Sequence, residues 1–393
     1  MHRLRWITGA LAIALLAAVT AGCTAGGYTP PAGISCAWSV KATRDTLNVA
    51  YPDTGATYWA MRYNLIQGER ILIQGTFPET RYVSFVTYNA TGTAVDHVTD
   101  RDISPDGAGQ NPFADPAAPT GDPYSLEIRA DVGASPGDNT LGAGGIAGSV
   151  LYRTYVPDAP GDPTGGAGLP SVSVRKADGT VVPVPACPAP AGDPGLIDLI
   201  NAFGPATDVP AQEPPVFRRP SNVAGLYANP DNGYVAAVAD HAPGTVVVVR
   251  GRAPATPDTE SGASPAEAGN DMRYWSMCTN EYRKPYPVTD CAYDAQVPVD
   301  GSGYYTFVAS TATDRPANAT TADGVAWLDW GSTAQDMLLI LRNMLPDAAF
   351  AEDVFDVAPG QPAAPTMGVH APMTARCDTA TFEAGGAAAC GLT

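Results

Sequence analysis

The chain has 393 residues, 41 of them Gly and 38 Pro, about a fifth together against the roughly 12% of average usage. Acids outnumber bases 40 to 22, for a formal charge of −18, which argues against nucleic acid as a partner because phosphate contacts need a basic face. A hydrophobic content of 45% excludes a wholly disordered chain, and the scattered Pro and Gly exclude coiled coils and long helical bundles.

In chain order, a leader comes first. Arg3 and Arg5 give a basic start, and residues 6–20 are mostly apolar but too short for an ordinary membrane-spanning helix. The run ends in Thr20, Ala21, Gly22 and Cys23. Small residues just before a Cys resemble the bacterial lipobox. That resemblance implies cleavage after Gly22 and lipidation of Cys23. Residues 1–22 are therefore read as a lipoprotein signal peptide and residues 23–35 as a tether. The chain is expected to be exported and lipid-anchored, facing the extracytoplasmic side of the cell membrane. Loss of the leader leaves 20 basic against 40 acidic residues, a charge of −20. Six cysteines remain, and an even number in an oxidising compartment predicts up to three disulfides. Short loops favour Cys278–Cys291 and Cys377–Cys390, which leaves Cys36–Cys187 for the first half.

The sequence then repeats itself. Residues 68–80 match 244–256, residues 81–87 match 273–279, and residues 149–158 match 338–347, in the same order in both halves. The first block ends each β-branched run with a Gly, at Gly75 and Gly251. The second opens on Arg81 and Arg273, and the third carries Arg153 and Arg342 four residues before Pro157 and Pro346. Each block reads as strand: 71–73 and 246–249 are short β-branched runs, and 82–88, 150–155, 274–279 and 338–342 have strand length. Residues 171–175 with 180–184 predict a hairpin, and residues 297–308 another, turning at 300–303. Helices are expected only at 194–202 and near 348–355. The unpatterned stretch 102–120 reads as a long loop.

The predicted fold is mainly β, with two tandem antiparallel sandwiches related by internal duplication. Residues 36–190 would form the first and 223–357 the second. Residues 191–222 would be a connector and 358–393 a Pro/Ala/Gly-rich tail pinned by Cys377–Cys390.

Residues 273–276 (Arg273, Tyr274, Trp275, Ser276), 327–331 around Trp327 and Trp330, and 341–346 around Arg342 resemble a group of uncharacterised bacterial exported lipoproteins. These share a Trp-Ser strand, a later Trp-Leu-Pro-like element and a closing Arg strand. The resemblance covers about 240 residues and implies jelly-roll-like domains of unknown function. It brings no activity with it.

Chemistry is sparse. No nucleophile elbow, zinc-protease helix or phosphate-cradling loop is present, so no catalytic residue, metal or cofactor is predicted. His97 lies among Asp96, Asp100 and Asp102, which reads as a solvated acidic turn. An Arg on a β-rich strand is costly to bury unless paired. Arg81, Arg153, Arg273 and Arg342 are therefore read as structural, with Asp158 and Asp347 the expected partners. Aromatics concentrate in the second half. The loop 280–290, closed by Cys278–Cys291, carries Tyr282 and Tyr286. With Trp275, Asn280, Asp290 and Asp294 it is the expected ligand-binding tip, since flat rings beside amides and carboxylates suit sugars. The expected function is a cell-envelope binding or structural module for a glycan or an envelope protein. The alternative is a glycan hydrolase using Asp290 and Asp294.

Overall fold

The computed structural model describes residues 31–133, 137–159, 161–188, 194–203, 208–221, 225–334 and 336–393. The leader and Cys23 lie outside them. The first half supplies strands β1 (Val40–Ala42), β2 (Ala56–Asn64), β3 (Arg70–Thr76), β4 (Thr80–Asn89), β5 (Ala94–Thr99), β6 (Pro123–Arg129), β7 (Thr140–Gly142), β8 (Ala147–Pro157), β9 (Ser171–Arg175) and β10 (Val181–Val184). The second supplies β11 (Asn232–Ala239), β12 (Thr245–Arg252), β13 (Met272–Glu281), β14 (Val288–Tyr293), β15 (Tyr304–Ser310), β16 (Ala326–Asp329), β17 (Met337–Pro346) and β18 (Met373–Asp378).

The two halves have the same topology. One pair of sheets runs β1-β2-β8-β4-β5 and β10-β9-β3-β6-β7, and the other runs β11-β17-β13-β14 and β16-β15-β12-β18. Setting β2–β9 against β11–β18 reproduces every neighbour relation. Even the exceptions repeat: β6·β7 and β15·β16 are the parallel pairs. A bulge interrupts β4·β5 after Thr87 and β13·β14 after Thr279, at equivalent places. Val156 and Leu345, also equivalent, both sit at positive φ (46° and 47°), rare for a β-branched or bulky residue.

Each sandwich closes on a core drawn from both its sheets. In the first, Trp59, Phe85 and Tyr152 of one sheet meet Ile71, Ile73 and Ile128 of the other. In the second, Trp275, Met277 and Leu339 meet Val247, Val249 and Phe307. The block glycines have a steric reason. A Cβ on Gly75 would lie 2.6 Å from the Tyr124 hydroxyl oxygen, and one on Gly251 2.5 Å from that of Tyr305, so each strand is bare where a tyrosine ring crosses it. Gly68 and Gly244 turn the chain into these strands at φ 84° and 74°.

Three expectations need correction. The stretch 358–393 is not a mere tail: β18 pairs along the edge of β12, and the following helix Thr379–Ala389 packs Phe382 onto Val246 and Val248. This explains why β12 is apolar on both faces. The helix expected near 348–355 does not form, and that stretch is turn. The hairpin 297–308 has only one rung before its turn, the Val299–Tyr305 bridge. The helix at 194–202 is present as Pro194–Phe203. All three disulfides are made as expected: Cys36–Cys187, Cys278–Cys291 and Cys377–Cys390. Such bonds persist in oxidising, extracytoplasmic surroundings. Among the described residues no helix is long and apolar enough to cross a membrane.

Candidate functional site

The outer faces of β4 and β8 pack against the outer faces of β13 and β17, with Tyr82, Tyr155, Tyr274 and Met344 between them. The polar contacts across this seam are reciprocal. Arg81 donates through Nη1 to Asp294, just after β14, and Arg273 donates to Asp100, just after β5, at 3.1 Å. Each carboxylate also accepts an amide of the neighbouring strand in its own repeat: Val83 N to Asp100 at 3.0 Å and Trp275 N to Asp294 at 3.2 Å. The Tyr82 hydroxyl donates to Asp231 at 2.7 Å, and that of Tyr274 to Asp53 at 2.9 Å. Arg153 Nη2 donates to the Tyr227 carbonyl at 2.9 Å, and Arg342 Nη2 to the Tyr51 carbonyl at 2.7 Å. Swapped pairs of this kind are the signature of an isologous two-fold interface. Here the two copies are one chain, and the axis is a pseudo-two-fold.

The four arginines are thus buried and structurally engaged, but not with the expected partners. Asp158 and Asp347 hold none of them: the acids beside Arg81, Arg273 and Arg342 come from the opposite repeat, and Arg153 is held by the Tyr88 hydroxyl and the Tyr227 carbonyl. Burial pushes the Asp100 carboxyl up to about 6 although Arg273 pulls it down. Asp294 is likewise raised by burial against the pull of Arg81. His97 is not on a solvated turn. It sits in β5 with Nε2 3.5 Å from Asp231 of the other repeat, and that hydrogen bond raises its pKa.

A cleft of about 470 Å³ opens on the seam. Its walls come in equivalent pairs: Tyr51 with Tyr227, Tyr58 with Tyr234, and Arg153 with Arg342. The register makes this happen, since Tyr58 lies opposite Arg153 on β2·β8 and Tyr234 opposite Arg342 on β11·β17. Leu151 and Ile340, two residues earlier on β8 and β17, add the apolar part of the same face. Arg342 has Asp53 at 3.7 Å. Among the described residues Arg153 has no carboxylate in ion-pairing reach. It lies instead over the rings of Tyr58 and Tyr88, at 5.8 and 5.7 Å.

The residues expected to form a ligand tip are placed elsewhere. Trp275 is 1% exposed and stacks in the second core near Tyr305, at 5.2 Å, so it is no binding platform. Asn280 is fully buried and donates to the Leu338 carbonyl at 3.1 Å. Asp294 is consumed by Arg81, and Asp290 by Arg44 and the amides of Cys291 and Asp329. Tyr282 packs beside Ala236 and Ile340. Tyr286 is 8% exposed, its ring 5.0 Å from that of Tyr51 and its carbonyl accepting from Tyr51 N at 2.8 Å. The loop is therefore a brace behind the cleft wall, not an open tip. Asp53 lies within 4.8 Å of the sulfurs of Cys278 and Cys291, but a disulfide offers no thiolate to a metal.

Sequence reasoning found Arg153 and Arg342 but missed the tyrosines. Extending the first block upstream at its own spacing of 176 residues pairs Tyr51 with Tyr227 and Tyr58 with Tyr234. That signal was there to be read.

No protein-family model matches the chain, and no curated protein does. Among solved structures, an uncharacterised protein from Burkholderia cenocepacia superposes over 88% of this chain and 84% of its own, with a TM-score of 0.51 at 12% identity. A protein from Vibrio parahaemolyticus covers 76% of this chain and 86% of its own, with a TM-score of 0.40, also at 12% identity. The likeness to the first is one of fold alone.

Proposed function

We propose that the chain is an exported, lipid-anchored protein of the cell envelope that works as a binding module, its ligand seat being the cleft between the two repeats. The leader ending at Cys23 supports the anchor, and the three disulfides support the compartment. The observation that carries the binding reading is the cleft itself. Its volume falls in the range of about 300–1,000 Å³ usual for small-molecule sites, and it is walled by residues that a purely structural seam would bring into contact. Hydrolysis of a glycan has less support, because Asp290 and Asp294 are held by arginines and backbone amides.

The test uses the full mature chain, kept free of lipid by Cys23→Ser, and Gly225→Leu as a cleft-filling variant. A Cβ on Gly225 would meet the Tyr234 hydroxyl at 3.6 Å, an ordinary contact, so a side chain there starts out on the cleft wall. Thermal unfolding is followed against envelope glycan fragments and amphiphiles. A rise in Tm in the parent that is absent in Gly225→Leu supports the reading. Release of reducing ends from a glycan would replace it with the hydrolase.

A further inference from the structure

The charge of the cleft runs against the charge of the chain. Acids outnumber bases 40 to 22 overall, yet among the described residues the cleft walls carry three arginines, Arg153, Arg219 and Arg342, and no Asp or Glu. Among the described residues neither Arg153 nor Arg219 has a carboxylate within 4.0 Å. Arg219 is spent on the carbonyls of Phe355 and Val357, and Arg153 on the Tyr88 hydroxyl and the Tyr227 carbonyl. Asp53, near Arg342, already accepts from Tyr274 and Ser276. Among the described residues two buried donors on the cleft find no acceptor: Arg153 Nη1 and the Tyr51 hydroxyl. Burial raises the Tyr51 phenol, which keeps it a donor through the physiological range. A buried donor is normally satisfied, so each marks a place where an acceptor is missing, Arg153 on the first repeat's face beside Tyr88 and Tyr51 on the second's beside Ile340. The apolar part of the cleft wall includes Leu151, Leu226 and Ile340.

Resting on the cleft reading above, the geometry points to an amphiphilic anion as the ligand: one carboxylate or phosphate head held by Arg153, and an apolar body laid on the leucine and tyrosine walls. Guanidinium recognises both heads through charge-assisted hydrogen bonds. The apolar wall supplies the affinity that a free inorganic anion would lack.

Isothermal titration of the Cys23→Ser chain, with every probe below its micelle concentration, separates these parts. Laurate and dodecyl phosphate should bind. Methyl laurate, which differs from laurate in charge, should bind at least about tenfold more weakly. Inorganic phosphate alone should not bind in the same range. Arg153→Met should erase most of the preference for laurate over its ester. Should that variant fail to fold, the ester comparison in the parent decides the matter without it. If laurate and its ester bind within twofold of each other, the anion inference falls and the cleft reading stands. If inorganic phosphate binds as well as dodecyl phosphate, the amphiphile half falls. If no probe binds, or if binding is unchanged in Gly225→Leu, the cleft reading falls as well.

Discussion

Replacing Asp294 by Asn tests whether buried charge pairs hold the two sandwiches together. Arg81 is completely buried and the Asp294 side chain is 4% exposed, so solvent screens neither. Asn keeps the shape but removes the negative charge, and its single oxygen can accept from only one of the amides of Trp275 and Ala295, which bond different oxygens of Asp294. Arg81 is then left with Thr259 Oγ1 at 3.0 Å and no counter-charge. Breaking a buried pair from one side costs about 3–5 kcal/mol, because the remaining ion stays desolvated. The low end is expected here, since Thr259 still accepts from Nε. Removing both charges in Arg81→Met/Asp294→Asn should recover most of the loss, because burial works against the Asp294 carboxylate even with Arg81 beside it. Urea unfolding read by Trp fluorescence measures this, with Trp38 and Trp59 in the first core and Trp275 and Trp330 in the second. A loss under 1 kcal/mol in Asp294→Asn with an unchanged m value would refute the reasoning. So would a double variant as unstable as the single one. Because Arg273 also donates to the Arg81 carbonyl at 3.1 Å, the two ion pairs touch, and combining Asp294→Asn with Asp100→Asn should not be additive.

Further expectations concern other parts of the fold. The hydrogen bond to Asp231 raises His97 above its ordinary value, so the folded state gains a proton there. That stability is in full below about 6.5, the unfolded value, and is lost as pH rises through the raised folded value. Burial would raise Asp231, but bonds from His97, Thr99 and Tyr82 outweigh it and hold it low. His97→Gln should therefore flatten the fall in Tm above pH 6.5 seen in the parent, and an unchanged pH profile would contradict the pair. Gly251→Ala should lose about 1–3 kcal/mol in urea unfolding, because its Cβ meets the Tyr305 ring, which is 1% exposed and has no room to yield. Reduction and Cys278→Ser/Cys291→Ser should lower stability by about 3 kcal/mol, the chain-entropy value for a loop of this length, measured against the oxidised parent. Palmitate labelling should disappear in Cys23→Ser, and label retained there would remove the anchor.

What the sequence made legible was local. The repeated blocks became β3 with β12, β4 with β13 and β8 with β17, because β-branched runs between turn glycines specify strands on their own. The disulfides followed from loop length. The partners of the arginines did not, since Arg81 finds Asp294 across 213 positions and only the pseudo-two-fold brings them together. β18 was hidden for a related reason: residues 373–378 have no strong strand pattern, and the free edge of β12 recruits them. Trp275 and Asn280 misled because composition identifies an aromatic or an amide but not the face it occupies. The cleft is a product of two surfaces meeting, so no single stretch of sequence announces it. Only the paired tyrosines, read at the repeat spacing, would have.

The most direct measurement is the stoichiometry of dodecyl phosphate binding to the full mature chain by isothermal titration. One shared cleft on the pseudo-two-fold requires one ligand per chain, with binding abolished in Gly225→Leu. Two equal sites per chain, one for each repeat, would contradict it.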